Sequence, residues 1–91
     1  MTIFLSGPIT GNKAYKRQFK AAEEKLIAQG HAVLNPATLP EGMEYEHYMH
    51  ICISMIDVCD AVYQLRGWQK SLGAQREYGY ALGKDKIILE A

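Results

Sequence analysis

One carboxylate stands out because its spacing turns it toward the interior of a predicted helix. Glu77 lies three residues after Ala74 and four before Ala81, which places it on the apolar face of that helix. A buried carboxylate is costly unless it is paired, hydrogen-bonded or functional. Periodicity alone leaves two readings at even odds: a carboxylate that does chemistry, or a glutamate paired with an arginine such as Arg17 or Arg76.

A second candidate is a turn-rich segment that follows an apolar run near the start of the chain. It consists of Ser6, Gly7, Pro8, Ile9, Thr10, Gly11 and Asn12. Its glycines, hydroxyls and exposed backbone N–H groups suit an anion or the hydroxyls of a sugar. A tight turn also needs glycines for its own geometry, so binding and plain turn formation weigh about equally.

Four further candidate residues open the third predicted helix or lie in loops at the ligand-binding edge. Ser71 and Gly73 begin the third helix, where a hydroxyl, N–H groups and the helix dipole favour a phosphate or carboxylate, although an ordinary N-cap is commoner. Trp68, in the loop before them, could stack on a base or simply cover the core. Asn35, before a proline, ends the second strand and begins another loop.

Hydrophobic periodicity predicts the elements that position these residues. The predicted order is strand 3–5, helix 13–29, strand 31–34, helix 45–58, strand 60–65, helix 71–82 and strand 86–89. Connections of this length imply right-handed helical crossovers between parallel strands. The expected fold class is therefore α/β, a flavodoxin-like or Rossmann-like three-layer sandwich with a four-stranded parallel sheet. Ligands of such sheets bind beyond the carboxyl ends of the strands, where the candidate loops lie.

Length and composition narrow the function classes. The 91 residues suit a single domain, 1–91, and ten basic residues balance ten acidic ones. No broad basic field favours polymeric nucleic acid, and no apolar stretch approaches the roughly 20 residues that span a membrane. Cys52 and Cys59 match no metal or redox spacing and are expected to fill the core. We expect a cytoplasmic protein without a metal or cofactor.

Several segments together resemble a known family. They are residues 3–11, Asn35-Pro36, residues 59–63 and residues 67–74, with Glu77, Tyr78 and Ala81. In this order they resemble a short, phage- and bacteria-associated branch of the nucleoside 2-deoxyribosyltransferase-like proteins. The resemblance covers nearly the whole chain.

The resemblance implies N-glycosidic chemistry on a small nucleoside or nucleotide. Glu77 matches the family's nucleophile, which attacks the anomeric carbon and forms a covalent deoxyribosyl intermediate. Ser71 matches a 5′-phosphate-binding serine, and Gly7, Ile9 and Gly11 match the loop that wraps the sugar or phosphate. The family also forms dimers or larger oligomers, so a homo-oligomer is expected.

Two departures from the family pattern leave two functions open. Phe4 stands where the family has a tyrosine that contacts the nucleophile, and Cys52 stands where it has an aspartate that protonates or orients the leaving base. Loss of general acid assistance typically costs about 10² to 10⁴ in rate. The chain is either an enzyme aided by another group, such as His47 or His50, or a nucleotide binder without turnover. A purely structural module leaves the inward Glu77 unexplained.

Overall fold

The computed structural model, which describes residues 1–91, alternates strands and helices as the sequence predicts. The strands are Thr2–Ser6 (β1), Ala32–Leu34 (β2), Ala61–Gln64 (β3) and Ile87–Glu90 (β4), and the α-helices are Tyr15–Ala28 (α1), Tyr45–Asp57 (α2) and Leu72–Gly83 (α3). Short 3₁₀ turns occupy Pro36–Thr38 and Trp68–Lys70. No helix combines the length and apolar character needed to cross a membrane.

The four strands form one parallel sheet in the order β2-β1-β3-β4. The predicted α/β fold class with a four-stranded parallel sheet is therefore confirmed. The chain moves from β1 outward to β2, then returns across β1 to add β3 and β4 on the other side. This reversal makes the boundary between β1 and β3 the switch point of the sheet, where α/β proteins commonly bind ligands.

Strand alternation divides the core between the two faces of the sheet. On one face, Ile3 and Leu5 pack with Phe19 and Leu26 of α1. The other face carries a cluster from β1, α2, β3 and α3, formed by Phe4, Cys52, Ile56, Cys59, Val62 and Ala81. Ser6 continues the alternation from Phe4, so its side chain lies on the face covered by α2 and α3.

Local signals set the ends of the helices. Gly30 adopts a φ of +93° just after α1, a conformation that favours glycine, and it ends that helix as predicted. At α3 the Ser71 hydroxyl oxygen accepts a hydrogen bond from the Ala74 backbone N–H at 3.2 Å. The predicted N-cap is confirmed, and it fixes where α3 begins relative to the sheet.

Candidate active site

Glu77 is held at the switch point of the sheet by a serine from the end of β1. The Ser6 hydroxyl donates a hydrogen bond of 2.6 Å to Oε1 of Glu77, and the Glu77 side chain is 4% exposed. A bond this short is typical of a hydroxyl facing a carboxylate. Arg76, one of the two arginines that could have paired with Glu77, instead forms a 3.0 Å ion pair with Glu46. The inward carboxylate therefore has a hydroxyl partner and no ion pair.

The surroundings of Glu77 bring its pKa close to neutrality. Burial is the dominant influence and raises the pKa to about 7, while the Ser6 hydroxyl, the Cys52 thiol and the Arg76 guanidinium lower it. Near pH 7 the group is consequently divided between its acid and carboxylate forms. Such a group can act as a nucleophile or exchange a proton without a large energetic cost.

Glu77 lines a cavity of about 330 Å³, a size typical of small-molecule sites. More than half of its 20 lining residues are hydrophobic. Its walls come from the loop after β1, the segment of residues 36–43, the start of α2 and the start of α3. The polar and aromatic side chains among them are Thr10, Tyr15, Phe19, Glu41, Tyr45, Tyr48, Ser71 and Glu77. A largely apolar lining that includes several aromatic rings suits a ring-containing ligand.

The glycine after β1 lets this wall approach the sheet closely. A Cβ atom at Gly7 would stand 2.9 Å from Cβ of Leu65, closer than real Cβ atoms come. Gly73 on the opposite wall faces the hydroxyl of Tyr45, and a Cβ there would lie at an ordinary 3.5 Å. Packing thus requires glycine at the first position, whereas the second has room for a small side chain.

Half of the residues predicted to bind a ligand line the cavity together with Glu77. They are Gly7, Ile9, Thr10, Ser71 and Gly73. Ser6 reaches the site through its bond to Glu77 rather than through the cavity wall. Residues that lie some 65 positions apart along the chain are thereby brought to one edge of the sheet.

The other predicted residues lie outside the lining of this cavity. The Pro8 carbonyl accepts a hydrogen bond from the side chain of Asn12, and Gly11 in the same loop has a φ of +76°. The Asn35 side-chain oxygen accepts from the backbone N–H of Ala37 and caps the 3₁₀ turn there. All three residues shape the loops around the cavity.

Trp68 and the two histidines of α2 also lie elsewhere. The Trp68 ring packs on Tyr78, with the ring centroids 4.8 Å apart. His47 is exposed, 3.5 Å from Glu44, and His50 is exposed as well. Neither histidine lines the cavity, so the lining does not support the predicted role of His47 or His50 in the departure of a base.

Two residues that depart from the expected pattern are completely buried on the Glu77 side of the sheet. Phe4 packs in the apolar cluster between the sheet and the helices. Cys52 belongs to the same cluster. The apolar residues beside it in the sequence predicted purely apolar surroundings, but a carboxylate also influences its thiol. Burial is the main reason that the pKa of its thiol rises to about 12, and the negative charge of Glu77 raises it further. It therefore stays protonated at neutral pH.

The start of α2 supplies site residues that the sequence did not single out. Tyr45, Tyr48 and Met49 line the cavity, and so does much of residues 36–43. One sequence feature could have identified them: two tyrosines lie three residues apart at the start of a helix, and that helix follows a loop at the carboxyl edge of the sheet. Because Tyr48 fits the apolar stripe of α2, periodicity assigns it to the core.

No group of three or more His, Cys, Asp or Glu side chains could hold a metal ion.

The chain is similar to one described protein family and to two solved structures. Residues 1–90 match the family described as Domain of unknown function (DUF4406). A 2-desoxiribosyltransferase from Leishmania mexicana is similar in structure, with a TM-score of 0.77 and 21% identity over 98% of this chain; the chain spans 62% of that protein's length. The CMP N-glycosidase BcmB from Clostridium botulinum gives a TM-score of 0.74 and 21% identity, covering 99% of this chain and 70% of its own.

No curated protein matches the sequence. The structural likeness establishes that this chain has the nucleoside deoxyribosyltransferase fold, in agreement with the family resemblance of its motifs. The match over nearly its whole length shows that the chain belongs to the DUF4406 family of domains.

Proposed function

We propose that this protein acts on the N-glycosidic bond of a 2′-deoxynucleoside or its 5′-monophosphate, with Glu77 as the nucleophile. The observation that carries the proposal is the buried Glu77 carboxylate, which is held by Ser6 at 2.6 Å and lines a cavity at the switch point of the sheet. The names of the two similar structures, a deoxyribosyltransferase and a CMP N-glycosidase, support the same class of bond.

The proposed reaction has two displacements. A Glu77 carboxylate oxygen forms a bond to C1′ of the sugar while the C1′–N bond breaks, and the departing base keeps the electron pair and takes a proton. Water or a second base then attacks C1′, and the carboxylate leaves. Water as acceptor releases a proton and a free sugar, whereas a second base gives a new nucleoside. The first step needs ionised Glu77, which the group reaches near pH 7.

The start of α3 is the proposed contact for the 5′ end of the substrate. The Ser71 oxygen accepts from Ala74 N–H as a cap, but its hydroxyl proton remains available for a ligand. The first N–H groups of a helix also lack intrahelical acceptors and carry partial positive charge. Both features suit a 5′-hydroxyl or a 5′-phosphate. The only charged residues in the cavity lining are Glu41 and Glu77, so a phosphate would depend on these helix contacts.

A second function, nucleotide binding without turnover, is favoured by Phe4 and Cys52. Phe4 offers no hydroxyl to the nucleophile, and the Cys52 thiol, with a pKa of about 12, is a weak acid for protonating a base. Such a protein would sense or sequester a nucleotide. Both functions use the same cavity, and they differ only in whether the C1′–N bond breaks.

The test compares wild type with Glu77→Gln, and uses Glu24→Gln on the exposed side of α1 as the matched control. Each protein is incubated with the four 2′-deoxynucleosides and their 5′-monophosphates, with and without a second free base. Free base and exchanged nucleoside are followed by chromatography, and binding is followed by calorimetry. We expect release or exchange by wild type and the control alone. Binding without release would support the second function, and neither binding nor release would refute both.

A homo-oligomer is also proposed, on the family resemblance and on the small size of the chain. Leu72, directly beside the cavity wall at Ser71, is 76% exposed, and Ile87 on the edge strand β4 is 50% exposed. Sedimentation velocity would test this proposal, since a monomer has a mass of 10.2 kDa.

A further inference from the structure

The outer side of β4 is an open edge of the sheet. β4 is the last strand in the order β2-β1-β3-β4, so it pairs with β3 alone. The backbone N–H groups of Ile87 and Ala91 donate to carbonyl oxygens on the β3 side. Because backbone groups alternate in direction along a strand, the N–H and C=O groups of Ile88 and Glu90 face outward. Such an edge can pair with a strand of another chain.

Apolar side chains are exposed along this edge on the face of the sheet that carries α1. Leu89 packs against the apolar cluster of that face and is half-buried. Ile87, two residues earlier, lies on the same face and is 50% exposed. The helix α1 packs on β1 and β2, so it does not shield these two side chains of β4.

An apolar side chain is also exposed on the opposite face, where α3 packs on β3 and β4. The Tyr80 hydroxyl of α3 donates to Asp57 of α2, which fixes the flank of α3 that faces α2. Residues two apart lie on nearly opposite flanks of a helix. Leu82 therefore lies on the flank away from α2, next to the β4 edge, and it is 49% exposed.

The charges at the two ends of β4 complement each other about its centre. Lys86 and Glu90 lie two residues before and two residues after Ile88, on the same face of the sheet. In an antiparallel pair with Ile88 opposite its own copy, each Lys86 lies opposite the Glu90 of the other chain. Glu90 is exposed and forms no ion pair within the chain. Lys86 Nζ donates to the Asp57 carbonyl at 3.1 Å and has further N–H groups for a carboxylate.

The backbone favours the same register as the charges. Ile88 can exchange two hydrogen bonds with its own copy, and the Glu90 N–H can donate to the Lys86 carbonyl of the other chain. The Lys86 N–H is not needed for this pairing, since it donates to the Ala81 carbonyl at 3.0 Å. A shift by one residue would bring inward-facing backbone groups to the interface, and a shift by two would place Ile88 opposite a charged residue.

We propose that the β4 edge is the docking surface for a second copy of this chain, so that two four-stranded sheets continue into each other through antiparallel β4 strands. The two-fold axis passes between the two Ile88 residues, perpendicular to the sheet. The Leu82 flanks of the two α3 helices then face each other, and on the other face Ile87 lies opposite Leu89 of the second copy. This symmetric arrangement is the commonest form of protein dimer.

The inference specifies the interface of the homo-oligomer proposed above and does not depend on the glycosidic reaction. No residue after Glu77 lines the cavity, so β4 pairing leaves the cavity of each copy open. Variants at the β4 edge can therefore separate assembly from activity.

The experiment measures the dimer dissociation constant by sedimentation velocity, from micromolar to millimolar protein. Glu90→Lys places two lysines opposite each other at both ends of the interface, and Lys86→Glu does the same with two glutamates. We expect each change to weaken dimerisation by roughly tenfold. Glu24→Lys is the matched control, because it makes the same change of charge on the exposed side of α1, and it should dimerise like wild type.

Charge reversal tests the register directly. A mixture of Glu90→Lys and Lys86→Glu should form heterodimers, since every pair of opposite residues is again one lysine and one glutamate. The double variant should dimerise with itself for the same reason. Failure of both combinations to restore dimers, with all proteins folded by circular dichroism, would contradict the proposed pairing.

Hydrogen exchange tests the backbone bonds. The outward N–H groups of Ile88 and Glu90 should become protected as the protein concentration rises, while the inward N–H of Ile87 is protected at all concentrations. Wild type that stays monomeric at millimolar concentration would overturn the proposal. A dimer without concentration-dependent protection of Ile88 would also overturn it, because that dimer uses another surface.

These outcomes are distinguishable from failure of the proposed reaction. Base release by monomeric Glu90→Lys would leave the reaction standing and show that the cavity works without the interface. A dimer of the proposed kind that releases no base would leave the interface standing and remove the catalysis. If Lys86→Glu fails to fold because it loses the bond to Asp57, Glu90→Lys and the exchange of Ile88 decide.

Discussion

The burial of Glu77 makes a prediction about stability that needs no substrate. The pKa of this group is about 7 in the folded protein, against an ordinary value of 4.5. Below pH 4.5 the group is protonated in both the folded and unfolded states, and above pH 7 it is ionised in both. Between these limits the folded state keeps a proton that the unfolded state has lost, so its contribution to stability falls as pH rises.

The gap between 4.5 and about 7 corresponds to roughly 3 kcal/mol. Glu77→Gln removes the titration while keeping the shape of the side chain. The difference in unfolding free energy between variant and wild type should therefore move by roughly 3 kcal/mol in favour of the variant from pH 4 to pH 9. A constant offset, such as a disturbed Ser6 bond, cancels in this comparison.

Urea unfolding followed by circular dichroism measures both proteins at one-unit pH intervals and at a single protein concentration. Glu24→Gln, on the exposed side of α1, should run parallel to wild type. If the Glu77→Gln and wild-type curves were parallel across this pH range, Glu77 would not have a raised pKa, and burial would not disfavour its ionised form.

Three further predictions concern Ser6, Gly7 and Ser71 at the carboxyl edge of the sheet. Ser6→Ala removes a hydrogen bond to the Glu77 carboxylate, which is worth about 1.5–3 kcal/mol for a charged acceptor. Any base release at pH 7 should therefore fall at least about fivefold, and the acid limb of the pH–rate profile should move to higher pH. An unchanged pH–rate profile would contradict this prediction. Gly7→Ala should lower the unfolding free energy by about 1–3 kcal/mol in urea titrations because its Cβ would meet Leu65; an unaltered midpoint would show that the loop shifts freely. Ser71→Ala should cost about 1 kcal/mol as a lost cap and, by calorimetry, weaken binding of a 5′-monophosphate more than that of the nucleoside; equal weakening would place the 5′ end elsewhere.

Local patterns in the sequence were sufficient to predict the strands and helices and the inward direction of the Glu77 side chain. Helical spacing of apolar residues, the cap at Ser71 and the stop at Gly30 act within a few residues, so each can be read without knowing the rest of the fold. Strand and helix lengths then require parallel pairing through helical crossovers. The α/β class and the edge that carries the ligand loops follow from these facts.

Local patterns could not assign partners to residues far apart. Glu77 and Ser6 are separated by 71 positions, and only the order of the strands places the end of β1 beneath α3. Likewise, Trp68 turns to Tyr78 and Asn35 caps its own turn, because packing and local hydrogen bonding occupy those side chains.

The sequence by itself determined which segments become strands and helices and that one carboxylate points inward, because those properties depend on neighbours along the chain. The tertiary structure alone decided that Ser6 binds that carboxylate and that α2 supplies a wall of the cavity. These contacts depend on strand order and on how the helices pack on the sheet, and periodicity within a single segment carries no information about either.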